Sequence, residues 1–195
     1  MKRIHIGAAA IFTVILFLAA CSPKEVPNAL NWQVKEFKAV NQENEPFTNK
    51  NLKGKVWVAD FIFTNCTTVC PPMTANMAKL QKELKKEGLK DVELVSFSID
   101  PEIDKPSIMK EYGSKFEADY SSWHFLTGYS QSFIEKFSVE SFHTLVKKPE
   151  NQDQVIHGTE FALVNQNGKV IQMYKGNTGF PLKKLIEDIK IVRNQ

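Results

Sequence analysis

The chain lacks several features that would each open a class of function. It has only two arginines, Arg3 and Arg193, one near each end. A peroxide-reducing thiol enzyme usually sets an arginine beside its reactive sulfur, and no central arginine exists to serve. A basic excess is missing too. Twenty-five Lys and Arg stand against 22 Asp and Glu, a formal charge of +3, which gives no footprint for nucleic acid. The main apolar run, Ile6 to Ala20, is 15 residues, where a membrane-crossing helix needs about 20. No internal repeat or low-complexity tract is visible. Cysteine is scarce and odd in number, three in 195 residues, so each one needs a use.

What is present begins at the N-terminus. "MKR" is followed by "IHIGAAAIFTVILFLAA", which carries no acid and ends in small residues. That is the layout of a secretory signal. "LAAC" (Leu18-Ala19-Ala20-Cys21) resembles the lipobox of bacterial lipoproteins. The resemblance implies cleavage before Cys21 and acylation of its thiol and new amino group, enough for stable anchoring in a membrane. The expected organisation is a signal peptide over residues 1–20, a lipid-anchored tether over 21–31 and one domain over 32–195. The remaining 175 residues carry a formal charge of +1 and suffice for one real core. With Cys21 holding lipid on the extracytoplasmic side, Cys66 and Cys70 are left as a pair in an oxidising compartment.

The domain alternates strands and helices. "WQVKEFKAV" (32–40) and "NQENEPF" predict a hairpin strand and turn. "KVWVADFIF" (55–63) is a continuous apolar run, hence a buried central strand. From Pro71, Met73, Met77, Leu80 and Leu84 recur at helical spacing, with Lys and Glu opposite. Pro in the first turn and Gly88 at the end fit that helix. "DVELVSFSI" (91–99) predicts a second buried strand, 105–118 a helix, "WHFLTG" (123–128) a short strand and 130–139 a helix. "EFALVN" and "KVIQMYK" flank an Asn-Gly turn, and "PLKKLIEDIKIV" closes with a helix. Trp57 and Trp123 are expected in the core. This order predicts an α/β mixed sheet with helices on both faces. With a dithiol between a central strand and the next helix, it resembles the thioredoxin/peroxiredoxin superfold.

Cys66 and Cys70, in "FIFTNCTTVCPPM", lie at the expected start of that helix. Amides there favour a thiolate, the form that attacks disulfides and that binds metals. A redox dithiol and a pair of metal thiolates are therefore both open. A metal needs a third ligand. His5 leaves with the signal, and His124 and His143 are most simply structural. His157, in a loop with Gly158 before "EFALV", is different. In the thioredoxin fold this loop faces the cysteines and usually holds a cis-proline. No proline lies between Pro149 and Pro181. His157 would place an imidazole opposite the dithiol. Two thiolates and an imidazole form a soft, low-coordinate set suited to copper; zinc would want a fourth ligand. Met73 and Met77 are better explained as core than as thioether ligands.

At these residues the chain resembles the Sco/SenC family. The family pattern Cys-x-x-x-Cys-Pro follows an apolar strand, here "FTNCTTVCP". Ser-x-Asp-Pro-x-x-Asp follows, here Ser98 to Asp104, then a distal His, here His157, and "GKV". The resemblance covers nearly all of the chain after the signal. Many members have Asp-His-Ser where this one has Ile156-His157-Gly158, and the residues flanking the first cysteine also differ; neither departure removes a ligand. The resemblance implies copper, as Cu(I) or Cu(II), delivered to the CuA centre of cytochrome c oxidase subunit II, or reduction of that subunit's cysteines by Cys66 and Cys70, or both. Asp100 and Asp104 are candidates to orient the site or dock a partner, against a plainer role as a turn capping the next helix. A dedicated thiol–disulfide oxidoreductase without metal is the alternative.

Overall fold

The computed structural model describes residues 25–149 and 155–195. The signal peptide, the expected lipid site at Cys21 and the first part of the tether lie outside them. The elements run, in chain order, β1 (Trp32–Gln33), β2 (Lys38–Val40), β3 (Pro46–Thr48), a 3-10 turn (Asn49–Leu52), β4 (Trp57–Ile62) and α1 (Cys70–Lys86). Then come β5 (Glu93–Ser98), α2 (Pro106–Ser114), β6 (Trp123–Leu126), α3 (Gln131–Phe142), β7 (Val146–Lys147) and β8 (Ile156–His157). β9 (Glu160–Val164), β10 (Lys169–Lys175) and α4 (Leu182–Arg193) complete the chain. No helix among the described residues is long and apolar enough to cross a membrane.

Six strands form one mixed sheet in the order β1-β10-β9-β4-β5-β6. β4, β5 and β6 run parallel; β9 pairs antiparallel with β4 and with β10. Every residue of β4 and β5 is buried, as a strand covered on both faces requires. Alternation puts Trp57, Ala59 and Phe61 on one face and Val58, Asp60 and Ile62 on the other. The first face carries an aromatic cluster in which Phe61 and Trp57 meet Phe142, and Phe97 meets Phe137, both from α3. On the opposite face Trp123 Nε1 donates to Ser96, Gly113 of α2 backs onto the Phe125 ring, and the Thr74 and Tyr112 hydroxyls bond α1 to α2. Helices flank both faces, as expected of a thioredoxin-like fold.

Three expectations change. Trp32–Gln33 does not extend the N-terminal hairpin but joins β10 at the sheet edge; the hairpin proper is β2 with β3. The helix expected to reach residue 118 stops at Ser114, and Glu117 takes a left-handed φ of 58°. His157 is not in an open loop. It belongs to β8, which pairs with β7 as Val146↔His157 and Lys147↔Ile156. Strands this short carry too little periodicity to be seen in sequence.

The topology then fixes where chemistry can occur. The parallel strands β4 and β5 end side by side, with Ile99 N–H donating to Ile62 O at 2.8 Å. β9 runs the other way, pairing Ala162 with Ala59, so its beginning reaches the same edge. The Cys66 loop, the loop after β5 and the residues before β9 converge there, the usual site position in open α/β sheets.

Candidate metal centre

Helix α1 begins at Cys70, with Pro71 and Pro72 in its first turn, where a missing N–H costs nothing. Its N-cap, Val69, offers no side-chain acceptor. The amide of Cys70 donates instead to Cys66 Sγ at 3.4 Å. Cys66 Sγ thus takes the place of a capping oxygen at a helix N-terminus, where the dipole favours an anion. Burial works against a thiolate at Cys66, but the amides and side chains of Cys70 and Thr68 outweigh it and hold the thiol below its ordinary range. Cys70 is fully buried. Burial pushes its thiol far up, the Phe63 backbone pulls back only partly, and neighbouring Cys66 and Asp60 push further. The two sulfurs are poised differently, and both are free thiols.

His157 completes the group. Its Nε2 lies 3.5 Å from Cys70 Sγ, and its Nδ1 lies 2.7 Å from the carbonyl of Gly158. A carbonyl can only accept, so Nδ1 carries the proton and Nε2 keeps its lone pair toward the sulfur. The ring also meets Phe63 edge-on. Burial lowers the imidazole pKa, with the Gly158 carbonyl and Glu160 pulling the other way, so the ring is neutral at neutral pH. A side chain at 158 would crowd the Thr144 hydroxyl and the Glu160 carboxylate, which explains glycine there. One ligand atom from each of Cys66, Cys70 and His157 lies within 4.8 Å of the others; among the described residues no other His, Cys, Asp and Glu group does this. Two sulfurs and one nitrogen, largely shut from water, fit a soft, thiophilic ion.

The second motif lies against this group. Asp104 is fully buried. One carboxylate oxygen accepts the Thr64 hydroxyl at 2.5 Å and the Thr64 amide at 3.2 Å; the other accepts the Ser98 hydroxyl at 2.6 Å. Burial raises its pKa while the Ser98 and Thr64 hydrogen bonds oppose that. Asp104 does not cap the next helix, whose N-cap is Lys105 without a side-chain bond. Asp100 receives Lys148 Nζ at 2.6 Å.

The other candidates are brought elsewhere. Met73 and Met77 are fully buried in the core, as are Trp57 and Trp123. His124 bonds Glu93 at 3.0 Å. His143 ends α3 in a left-handed conformation and stacks on Trp32. Sequence reasoning missed three participants. Lys148 and the Gly158 carbonyl carried no signal. Asp60 carried one, an acid inside the apolar run "VWVADFIF". It is fully buried, neither oxygen has a hydrogen-bond partner among the described residues, and burial raises its pKa to about 7.

A family profile described as SCO1/SenC matches residues 27–193. The crystal structure of a SCO1/SenC family lipoprotein from Bacillus anthracis is 56% identical, covers 86% of this chain and 98% of its own, and superposes with a TM-score of 0.83. BsSco, described as a member of the Sco family of cytochrome c oxidase assembly proteins with a disulfide switch, is 48% identical over 87% of this chain and 98% of its own, with a TM-score of 0.81. Arabidopsis thaliana ScoI with copper bound is 25% identical over 83% of this chain and 98% of its own, with a TM-score of 0.69. With its strand, dithiol and distal histidine in one place and a match along nearly the whole described chain, this protein belongs to the SCO1/SenC family.

Proposed function

We propose that this chain is a copper-binding assembly factor for cytochrome c oxidase, holding the ion through Cys66 Sγ, Cys70 Sγ and His157 Nε2. The observation that carries the proposal is the meeting of those three donors within 4.8 Å. The copper-bound relative and the one described as an oxidase assembly protein support the ion and the process. Copper is cargo here rather than a resident catalyst. Its destination in this reading is the CuA centre of subunit II. Acylation at Cys21 holds the domain at the outer face of the cell membrane, close to that target, and the B. anthracis lipoprotein supports the anchor.

A second role rests on a specific observation. Cys66 is held below the ordinary thiol range and Cys70 above it. A pair divided in this way suits thiol–disulfide exchange, one sulfur attacking and the other resolving. Oxidising the pair to a disulfide removes two of three copper ligands, so the two roles are linked.

The test is titration of the reduced full-length protein in detergent with Cu(I) and with Cu(II) against a competing chelator, beside Cys66→Ser and His157→Ala. One tight ion per chain, lost in Cys66→Ser and weakened in His157→Ala, is expected. Weak binding indifferent to His157 would overturn the copper reading and leave the dithiol reductase in its place.

A further inference from the structure

The Ser98–Asp104 turn touches both halves of the site. On one side, Asp104 holds Thr64, two residues before Cys66, by its amide and its hydroxyl. On the other, Asp100 holds Lys148 Nζ at 2.6 Å. Lys148 directly follows β7, whose Val146 pairs with His157. Ser98 joins the two acids: its hydroxyl donates to Asp104 and accepts the Asp100 amide at 3.1 Å. The Asp104 amide also returns to the Asp100 carbonyl at 2.9 Å. Asp100 is nearly as buried as Asp104, with a side chain 3% exposed against 21% for Lys148. A buried carboxylate keeps its charge only with a close partner, so the ion pair is a fixed point rather than a loose surface contact.

The strand pair that carries His157 needs such a fixed point. It is two residues long on each side, and two short strands alone are marginal in water. Glu135 of α3 supplies a second anchor, accepting the Lys148 amide and Lys147 Nζ, each at 3.0 Å. Yet among the described residues it is Lys148 that ties this strand pair to the turn bracing the cysteine loop, closely through buried Asp100 at 2.6 Å and more loosely through exposed Glu102 at 3.8 Å.

We infer that Asp100, acting through Lys148, is a positioning residue that holds His157 against Cys70, so that one acidic turn steadies the sulfur and nitrogen halves of the site together. The geometric part stands without copper; its consequence for copper rests on the function proposed above. Partners that orient a ligand typically change metal affinity 10–100-fold when removed.

The experiment uses the full-length protein in detergent with Lys148→Ala, Lys148→Met, Lys148→Arg and Asp100→Asn, and Lys183→Ala, at an exposed position of α4, as a control for loss of a positive charge. In the reduced, metal-free protein, NMR follows the His157 ring nitrogens and the contact of the ring with Cys70. The contact should weaken and the Nε2 resonance move in Lys148→Ala and Asp100→Asn. Lys148→Arg should preserve both, and Lys183→Ala should leave both unchanged. Lys148→Met keeps the aliphatic stem and decides the matter where Lys148→Ala fails to fold. Cu(II) affinity should fall about tenfold in Lys148→Ala, with no added loss when Asp100→Asn is combined with it, since the two remove one interaction. An unchanged Cys70–His157 contact in the Lys148 variants would overturn the inference, whatever copper does. A normal copper affinity in His157→Ala would instead overturn the ligand assignment, and the metal-free contact would still decide the positioning role.

Discussion

Cys66 and Cys70 sit between a strand with no exposed residue and the first turn of a 17-residue helix. His157 rides on a strand two residues long, followed by a glycine. The sulfur half is held by core packing, a helix start and the fully buried Asp104. Among the described residues, the nitrogen half is held by the ion pairs of Lys148 with Asp100 and Glu102, by Glu135 on Lys147 and the Lys148 amide, and by the Gly158 carbonyl. Under the proposed copper-carrier function, this division suits release of the ion. Two of the three proposed donors, the sulfurs, are built into the core. The third comes from a segment that can be loosened without disturbing the sheet.

The comparison can be tested first beneath the sulfur half. Asp60 lies close enough to act on the Cys70 thiol, and its pKa is raised to about 7 from 3.8. The folded state therefore keeps a proton that the unfolded chain gives up. Stability should fall as pH rises from about 4 to about 7 and then level off, by on the order of 4 kcal/mol. Asp60→Asn should flatten that slope and raise stability at pH 8. Urea unfolding at pH 5 and pH 8 measures it, and parallel slopes in both proteins would place the dependence elsewhere.

Asp104→Ala comes next. It leaves the Thr64 and Ser98 donors unsatisfied in a buried place and should cost about 3 kcal/mol. In the same denaturation assay, a loss below 1 kcal/mol would show that the cysteine loop is no more firmly held than the histidine arm. The smallest effect belongs to the nitrogen half. His157 has its pKa lowered, by burial first, so the folded state binds its proton less readily than the unfolded chain. The imidazole contributes nothing to pH dependence above its unfolded pKa of about 6.5 and a small destabilisation below it. In NMR titration of the metal-free protein the ring should protonate below pH 6.5. A midpoint above that would mean an exposed ring and a detached arm.

The sulfur half was largely legible in the sequence because its signals are local. A continuous apolar run, two cysteines, a double proline and a 3.6-residue pattern all fall within residues 55–84, and each is the physical cause of its element. The mixed sheet was legible for the same reason, since its long strands announce themselves. His157 was found only by asking what the topology places opposite a dithiol. The strand pair that carries it was not legible because its strands are only two residues long, and neither the ion pair from Lys148 nor the hydroxyl of Thr64 on Asp104 was, because each joins segments 40 or more residues apart. Asp100 and Asp104 could be singled out as a motif, yet the motif looks like a helix cap. Only their burial and partners show that Asp104 turns back to the cysteine loop.

Cys66 and Cys70 are four residues apart, but 87 residues separate Cys70 from His157. Closing a loop that long costs more chain entropy than closing the four-residue one between the cysteines, which favours formation of the dithiol ahead of its contact with the imidazole. An unfinished chain therefore presents a bare dithiol, able to oxidise or to scavenge metal, while the imidazole arrives only once the sheet is complete. The third donor thus reports that folding has finished, and a variant that folds slowly would spend its first moments as a reactive thiol pair rather than as a carrier.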